Sequence, residues 1–309
     1  MPKLPQPERI PRTGEPAVLH VAFRKFWTRR TAINQAINAL TFSERLAEHE
    51  ILLLRSHLLG RLISEVYPSK VAVAGFNYTL GGAADQLRAS SDFLAEAAFV
   101  LCQPAYETYL AALTELLSAA LGRPLAANDK RSMPARHHWL ANQGIDITSS
   151  DQFRLAECLR EARNALIHED GTLSSRAENA RAAVPHEGEQ KWRRATRVSL
   201  PAMKAGQRLP PGSLPPVGMI YAIANLAIEV NRATVASGTV SATRWADVAV
   251  MDFRLAHPGR WRGLQFRQDV LQSLRRHVNF NFGAALPRLL AGNGLAAALN
   301  RAPANCTLP

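Results

Sequence analysis

The sequence predicts a mostly α-helical protein, and three observations support that prediction. Apolar residues recur with the period of a helix over long segments, near 29–66, 83–121 and 150–168. A strongly apolar segment at 216–235 continues the helical pattern and is typical of the centre of a bundle. No strand and helix patterns alternate as they do in βαβ units. We therefore expect a helical bundle with at most one small β-hairpin.

The N-terminal part is predicted to begin with a proline-rich flexible tail at 1–16 and to continue as a helical extension over 17–82. Residues 18–27 alternate weakly, as a short strand would. Thr41 and Glu44 have the spacing of a capping box, which predicts a helix break before 41. Residues 70–78 are expected to form a strand or an extended loop.

The central part carries clear helix boundaries. Pro104 is expected to kink or split the helix at 83–121. Ser149 and Gln152 form a second capping box, and Gly171 has the place of a C-terminal cap, so a helix is predicted from about 150 to 168. The proline-containing stretch 172–215 is expected to be irregular, with a hairpin strand at 196–200. The remaining predicted helices lie near 136–142, 242–255, 265–280 and 284–299.

Composition favours a globular protein that binds a polyanion. Apolar residues make up 47% of the chain and charged residues 20%, which is enough to bury a core. The formal net charge of +12 indicates a polyanionic partner, with nucleic acid first. Only six of the 37 basic residues are lysine, so the alternative explanation for the charge is the arginine bias of a GC-rich genome.

Several chemistries find no support in the sequence. His137 and His138 stand outside any wider cluster, and Cys102, Cys158 and Cys306 have no metal-like spacing, so we expect no metal and no cofactor. The N-terminus lacks an apolar signal core, and the longest apolar run is too short to cross a bilayer. We therefore expect a cytoplasmic protein with no membrane partner.

The stretch 157–171 is the most informative part of the chain. On a helix of about 3.6 residues per turn, Arg160, Asn164 and His168 share one polar arc and Arg163 stands at its edge. The opposite, apolar side is formed by Leu155, Leu159, Ala162 and Leu166. An imidazole beside guanidinium groups can perform acid–base chemistry on a phosphate. The alternative is that the arginines are solvated surface charges and His168 is a helix-terminal residue favoured by the macrodipole.

The motif Arg163-Asn164-x-x-x-His168, followed by Gly171, resembles that of the HEPN superfamily (higher eukaryotes and prokaryotes nucleotide-binding). Residues 105–113 are similar to the first helix of that family and 216–235 to its last. The resemblance covers about 83–237, which predicts a HEPN-like helical domain there and a C-terminal helical extension at 238–309.

The resemblance implies a metal-independent endoribonuclease that acts as a homodimer, in a toxin or phage-defence setting with an antitoxin or defence partner protein. Attack of the RNA 2′-OH would give 2′,3′-cyclic phosphate and 5′-OH ends. It implies catalytic roles for Arg163, His168 and Asn164, and supporting roles for Arg160 and Glu161. One branch of the family carries a tyrosine where this chain has Asp170, so nucleotidylation there is not expected. The alternative is a catalytically silent helical module that binds nucleic acid or protein.

Basic and aromatic residues cluster at two further places, and these predict contacts with RNA away from the cleaved bond. The first cluster consists of Lys191, Trp192, Arg193, Arg194 and Arg197. The second consists of Arg260, Trp261 and Arg262. A solvated charged loop, anchored to the core by its tryptophan, explains each cluster equally well.

Overall fold

The computed structural model describes residues 21–53, 56–67, 78–210 and 213–256, together with 272, 274–275 and 297–298. The protein is mostly α-helical, as predicted. Within the described residues the only β-type pairings are two isolated bridges, between Leu62 and Thr79 and between Thr172 and Arg208. The helices are α1 Val21–Leu53, α2 Ile63–Val66, α3 Leu80–Leu121, α4 Met133–Asn142, α5 Asp151–His168, α6 Ser175–Ala182, α7 His186–Thr196, α8 Pro216–Ala236 and α9 Ala242–Ala256.

The chain divides into two compact units, and each is built from separate segments. The first unit contains the described residues within 1–31, 103–156 and 222–309. Its core is aromatic: Phe23 of α1 meets Tyr109 of α3 edge-on, with ring centroids 5.7 Å apart. The Tyr109 hydroxyl donates to the carbonyl oxygen of Ala227 in α8 at 3.4 Å. A ring contact and a hydrogen bond therefore join three helices of this unit.

The second unit contains the described residues within 32–102 and 157–221. It includes most of α5, all of α6 and α7, and an apolar cluster of Ile51, Leu80 and Ala84. The segment 157–171, which carries the motif, lies in this unit. The candidate site can therefore be described within one compact part of the chain.

The expected strand at 18–27 is wrong over its described residues, because α1 begins at Val21 and runs without a break to Leu53. Phe23, Phe26 and Trp27 are all buried, and a helix places three such residues on one side. The expected helix break before residue 41 is also wrong. The Ser43 hydroxyl donates to the Ala39 carbonyl oxygen at 2.9 Å, so this serine is satisfied inside the helix.

Pro104 does not split the helix that contains it. Helix α3 continues from Leu80 to Leu121 across the proline. A proline removes one helical N–H donor, and the Thr108 hydroxyl donates to the Pro104 carbonyl oxygen at 2.7 Å just after it. The predicted strand or loop at 70–78 falls outside the described residues except for Tyr78.

The prediction of an irregular stretch at 172–215 is wrong for two segments and correct for most of the described residues after 196, and the hairpin strand at 196–200 is wrong. Two helices, α6 and α7, occupy 175–182 and 186–196 instead. The prolines stand at their boundaries: Pro185 is the N-cap of α7 and Pro201 follows its end. Between them the polar chain is rich in good helix formers, with Trp192 as its apolar anchor. The prolines therefore lie outside the helices of this stretch and do not interrupt them.

The predicted helices at 136–142, 216–235 and 242–255 are confirmed, with α4 beginning slightly earlier. The predictions for 265–280 and 284–299 fall almost wholly outside the described residues. Among the helices that the structure describes, none is both long and apolar enough to span a bilayer.

Candidate functional site

Helix α5 begins at a serine cap, one residue later than predicted. The Ser150 hydroxyl accepts a hydrogen bond from the backbone N–H of Phe153 at 3.2 Å, so Ser150 is the cap and Ser149 is not. The predicted buried face is largely correct: Leu155, Leu159 and Ala162 are fully buried, whereas Leu166 is half-buried. This apolar anchoring fixes the direction of the polar arc.

A left-handed turn ends α5 and fixes the position of His168. Gly171 has φ +79° and its N–H donates to the Ala165 carbonyl oxygen at 2.9 Å, as expected for a terminating glycine. Asp170 is also left-handed, with φ 48°, which the sequence did not suggest. The N–H of Leu209 donates to the Gly171 carbonyl oxygen at 2.9 Å, which ties the turn to the 204–210 segment.

The end of α5 and the start of α6 line one cleft of about 450 Å³. Four of its lining residues come from α5 or directly follow it, namely Glu161, Asn164, His168 and Glu169. The other three are Ser174, Ser175 and Arg176. The structure thus brings together three of the predicted site residues, Asn164, His168 and Glu161. It adds a serine–serine–arginine segment that the sequence analysis missed.

A signal for the missed segment was present. Ser174 is the N-cap of α6, and its hydroxyl accepts from the Ala177 N–H at 3.4 Å. A serine after a turn glycine, followed by a run of helix formers, is a helix start signal. The prolines and glycines of 172–215 oppose this signal, because both residue types favour irregular structure.

Arg163 does not line the cleft. Its Nη1 donates to the Asn164 Oδ1 at 3.3 Å, and its Nε is buried without a hydrogen-bond partner in the described structure. Of the two ends of the motif, only His168 lines the cleft. Arg163 contacts a lining residue, Asn164, by its hydrogen bond.

Arg160 is held by carboxylates. Its guanidinium bonds Glu157 at 3.0 Å and also pairs with Glu161. All three side chains are largely buried, so this arrangement restricts their positions more than a surface pair would. The pairing offsets part of the negative charge that Glu161 brings to the cleft. The acidic residues after His168 have separate surroundings, because Asp170 pairs with Arg208 at 3.3 Å whereas Glu169 lines the cleft.

The basic cluster of residues 191–197 lies on and just after α7. Trp192 is fully buried, so it anchors α7 and offers no ring to a nucleic acid base. Lys191 pairs with Glu187 at 3.1 Å. Arg193, Arg194 and Arg197 are exposed and, with Gln190, line a shallow depression of about 330 Å³. The second cluster, at 260–262, falls outside the described residues.

Two cysteines and one histidine outside the cleft are buried and serve packing. Burial raises the pKa of the Cys158 thiol to about 12, and its Sγ lies 3.8 Å from the Met203 Sδ, so it is a packing residue. Cys102 is likewise buried. His137 is buried and its neighbour His138 is exposed, so the pair does not present two imidazoles to one side.

Comparison with known proteins returns no match: no family model, no curated protein and no solved structure is similar to this chain.

Proposed function

We propose that the protein is a metal-independent endoribonuclease and that the cleft between α5 and α6 is its active site. The observation that supports this most is the composition of the cleft, in which an exposed imidazole, an amide and a guanidinium meet: His168, Asn164 and Arg176. An imidazole exchanges protons near neutral pH, and a guanidinium matches the geometry and charge of a phosphate. The net charge of +12 favours a polyanionic substrate.

The reaction proposed is internal transesterification. The RNA 2′-oxygen forms a bond to phosphorus, the bond from phosphorus to the 5′-oxygen breaks, and the products carry a 2′,3′-cyclic phosphate and a 5′-OH. The 2′-OH loses one proton and the leaving oxygen gains one, so the reaction needs no other reactant. His168 is the proton-transfer group in the cleft. Asn164 binds substrate there, and Arg163 positions the Asn164 amide through the 3.3 Å hydrogen bond.

The wider setting belongs to the same proposal. The enzyme acts as a homodimer on RNA, in a toxin or phage-defence role, and an antitoxin or defence protein is its partner. The resemblance of Arg163-Asn164-x-x-x-His168 to the HEPN motif supports this setting.

The test is cleavage of a labelled RNA in the presence of EDTA, with identification of the product ends. We expect His168→Ala to lower the rate by about 100-fold or more, the usual contribution of a positioned acid or base. The matched control is His138→Ala, which removes another exposed histidine outside the cleft and should leave the rate unchanged. Arg163→Ala should cost no more than Asn164→Ala, and the double variant should match Asn164→Ala.

Three results would contradict the proposal: cleavage that survives His168→Ala, cleavage that EDTA abolishes, or products without cyclic phosphate ends. RNA binding without any cleavage would favour the alternative, a catalytically silent binding module that uses the same cleft.

A further inference from the structure

The arginines around the motif differ in whether a carboxylate already holds them. Arg160 pairs with Glu157 and Glu161, Arg181 with Glu189 at 2.6 Å, and Arg208 with Asp170 at 3.3 Å. Arg176 forms no ion pair within the part of the chain that the structure describes, and it is exposed while lining the cleft. Arg176 is thus a cation that faces the same space as His168 and is available to a ligand.

The backbone around Arg176 adds to its positive charge. Arg176 is the second residue of α6, after the Ser174 cap. The first N–H groups of a helix have no helical carbonyl to bond, and the helix dipole places partial positive charge there. The Ala177 N–H bonds the Ser174 hydroxyl, so the backbone donors left for a ligand are those of Ser175 and Arg176. The Ser174 and Ser175 side chains line the cleft at the same place. An anion bound beside Arg176 would therefore meet donors from both side chains and backbone.

Two carboxylates line the cleft, Glu161 and Glu169. Arg160 pairs with Glu161 and also with Glu157, so it offsets the Glu161 charge only in part. Arg176 is the one arginine among the lining residues, so its guanidinium is the group of the cleft that suits a phosphodiester.

We infer that Arg176 binds the phosphodiester at the bond that is cleaved, in the place that the motif alone would give to Arg163. The inference rests on the proposed function, since it assigns the phosphate subsite of that same cleft. The planar guanidinium holds the two non-bridging oxygens while the 2′-oxygen bonds to phosphorus and the 5′-oxygen departs with a proton. Arg163 acts on the substrate only through the Asn164 amide.

The experiment compares wild type with Arg176→Ala, Arg176→Lys and the matched control Arg131→Ala. Arg131 is exposed and does not line the cleft, so its removal changes the net charge equally. Cleavage is followed with an RNA oligonucleotide to separate kcat from KM. Binding is followed by fluorescence anisotropy with the 2′-O-methyl form of the oligonucleotide, which cannot be cleaved, over a range of salt concentrations.

We expect Arg176→Ala to lower kcat/KM by about 100-fold, the scale of losing one transition-state donor. The slope of the logarithm of the binding constant against the logarithm of the salt concentration should become shallower by about the contribution of one phosphate contact. Arg176→Lys should recover only part of the loss, because an ammonium lacks the two-pronged geometry. Arg131→Ala should match wild type, and thermal melting should be unchanged in all variants, because both arginines are exposed.

The outcomes separate this inference from the proposed function. If wild type cleaves RNA and Arg176→Ala behaves like Arg131→Ala, the phosphate subsite is overturned while the enzyme stands. If wild type does not cleave but the 2′-O-methyl oligonucleotide binds in an Arg176-dependent way, the subsite stands and the ribonuclease proposal falls. Binding without cleavage and without dependence on Arg176 overturns both.

Discussion

Two histidines of this chain differ in their exposure to solvent. His168 is exposed at the end of α5 and lines the cleft, where it can meet a substrate. His137 in α4 is 2% exposed, and its Nε2 lies 3.0 Å from the Tyr106 hydroxyl. Its ring stacks on Tyr106 and meets Phe153 edge-on. Burial among these rings lowers the pKa of His137 to about 4.

This buried histidine should make the protein lose stability in mild acid. In the unfolded chain His137 takes up a proton near pH 6.5, whereas the folded protein resists protonation down to about pH 4. Between those values the unfolded state binds more protons than the folded state. For each pH unit of acidification, His137 therefore lowers the free energy of unfolding by about 1.4 kcal/mol. Urea unfolding of wild type and His137→Phe at pH 7 and pH 4.5 measures the effect.

The quantity to compare between wild type and His137→Phe is the change in the free energy of unfolding with pH. The absolute free energies differ for another reason, because the substitution also removes a partner of the Tyr106 hydroxyl. The wild type should lose about 2 to 3 kcal/mol more than His137→Phe between the two pH values. His138→Gln, at the exposed neighbour, should behave like wild type. Identical pH dependence in His137→Phe and wild type would show that this imidazole is not the cause.

Packing between α7 and α8 depends on a glycine. A Cβ on Gly218 would lie well inside the contact distance of the Trp192 ring and 2.8 Å from the Thr196 Cγ2. Trp192 is fully buried and cannot swing aside into solvent. The absence of a side chain at 218 therefore lets the indole of α7 lie directly against the first turn of α8.

Gly218→Ala should consequently destabilise the unit that carries the motif. Helix propensity would favour the alanine, but overpacking against a buried indole costs about 1–3 kcal/mol. We expect a lower urea midpoint for Gly218→Ala. Gly60→Ala is the control, since a Cβ there meets nothing within 4 Å. A midpoint equal to or above that of wild type would mean that the α7–α8 contact relaxes without cost.

The elements that sequence predicted well are those whose signals are local. Helix α5 has an apolar stripe, a serine cap and a terminating glycine, and α8 is a long apolar run, so both were found within one or two residues. Helices α6 and α7 are short and polar, and what holds α7 is the contact of Trp192 with Gly218, two residues far apart in sequence. Such a contact leaves no pattern in the local sequence.

The same limit applies to the candidate site. Asn164 and His168 were correctly placed on one side of α5, because helical period alone decides that. Arg163 was expected to join them, but it lies about 100° around the helix from Asn164 and does not line the cleft. Arg176 was missed because its nearness to His168 depends on the turn at Asp170 and Gly171, whose path is set by bonds to 204–210.

For the whole molecule, the proposed function predicts a homodimer. One chain presents His168 to the cleft but not Arg163. We therefore expect light scattering at micromolar concentration to give twice the 33.9 kDa mass of one chain. A monomer that nevertheless cleaves RNA would show that one chain holds a complete site.

The buried position of Trp192 also gives the molecule an optical label. Trp27, Trp139 and Trp245 are buried in the first unit, whereas Trp192 is the one described tryptophan of the second unit. An indole shielded from water emits at shorter wavelength than an exposed one. A chain that keeps only Trp192, with phenylalanine at the other tryptophan positions, would therefore report by its fluorescence when the part carrying His168 unfolds, separately from the rest.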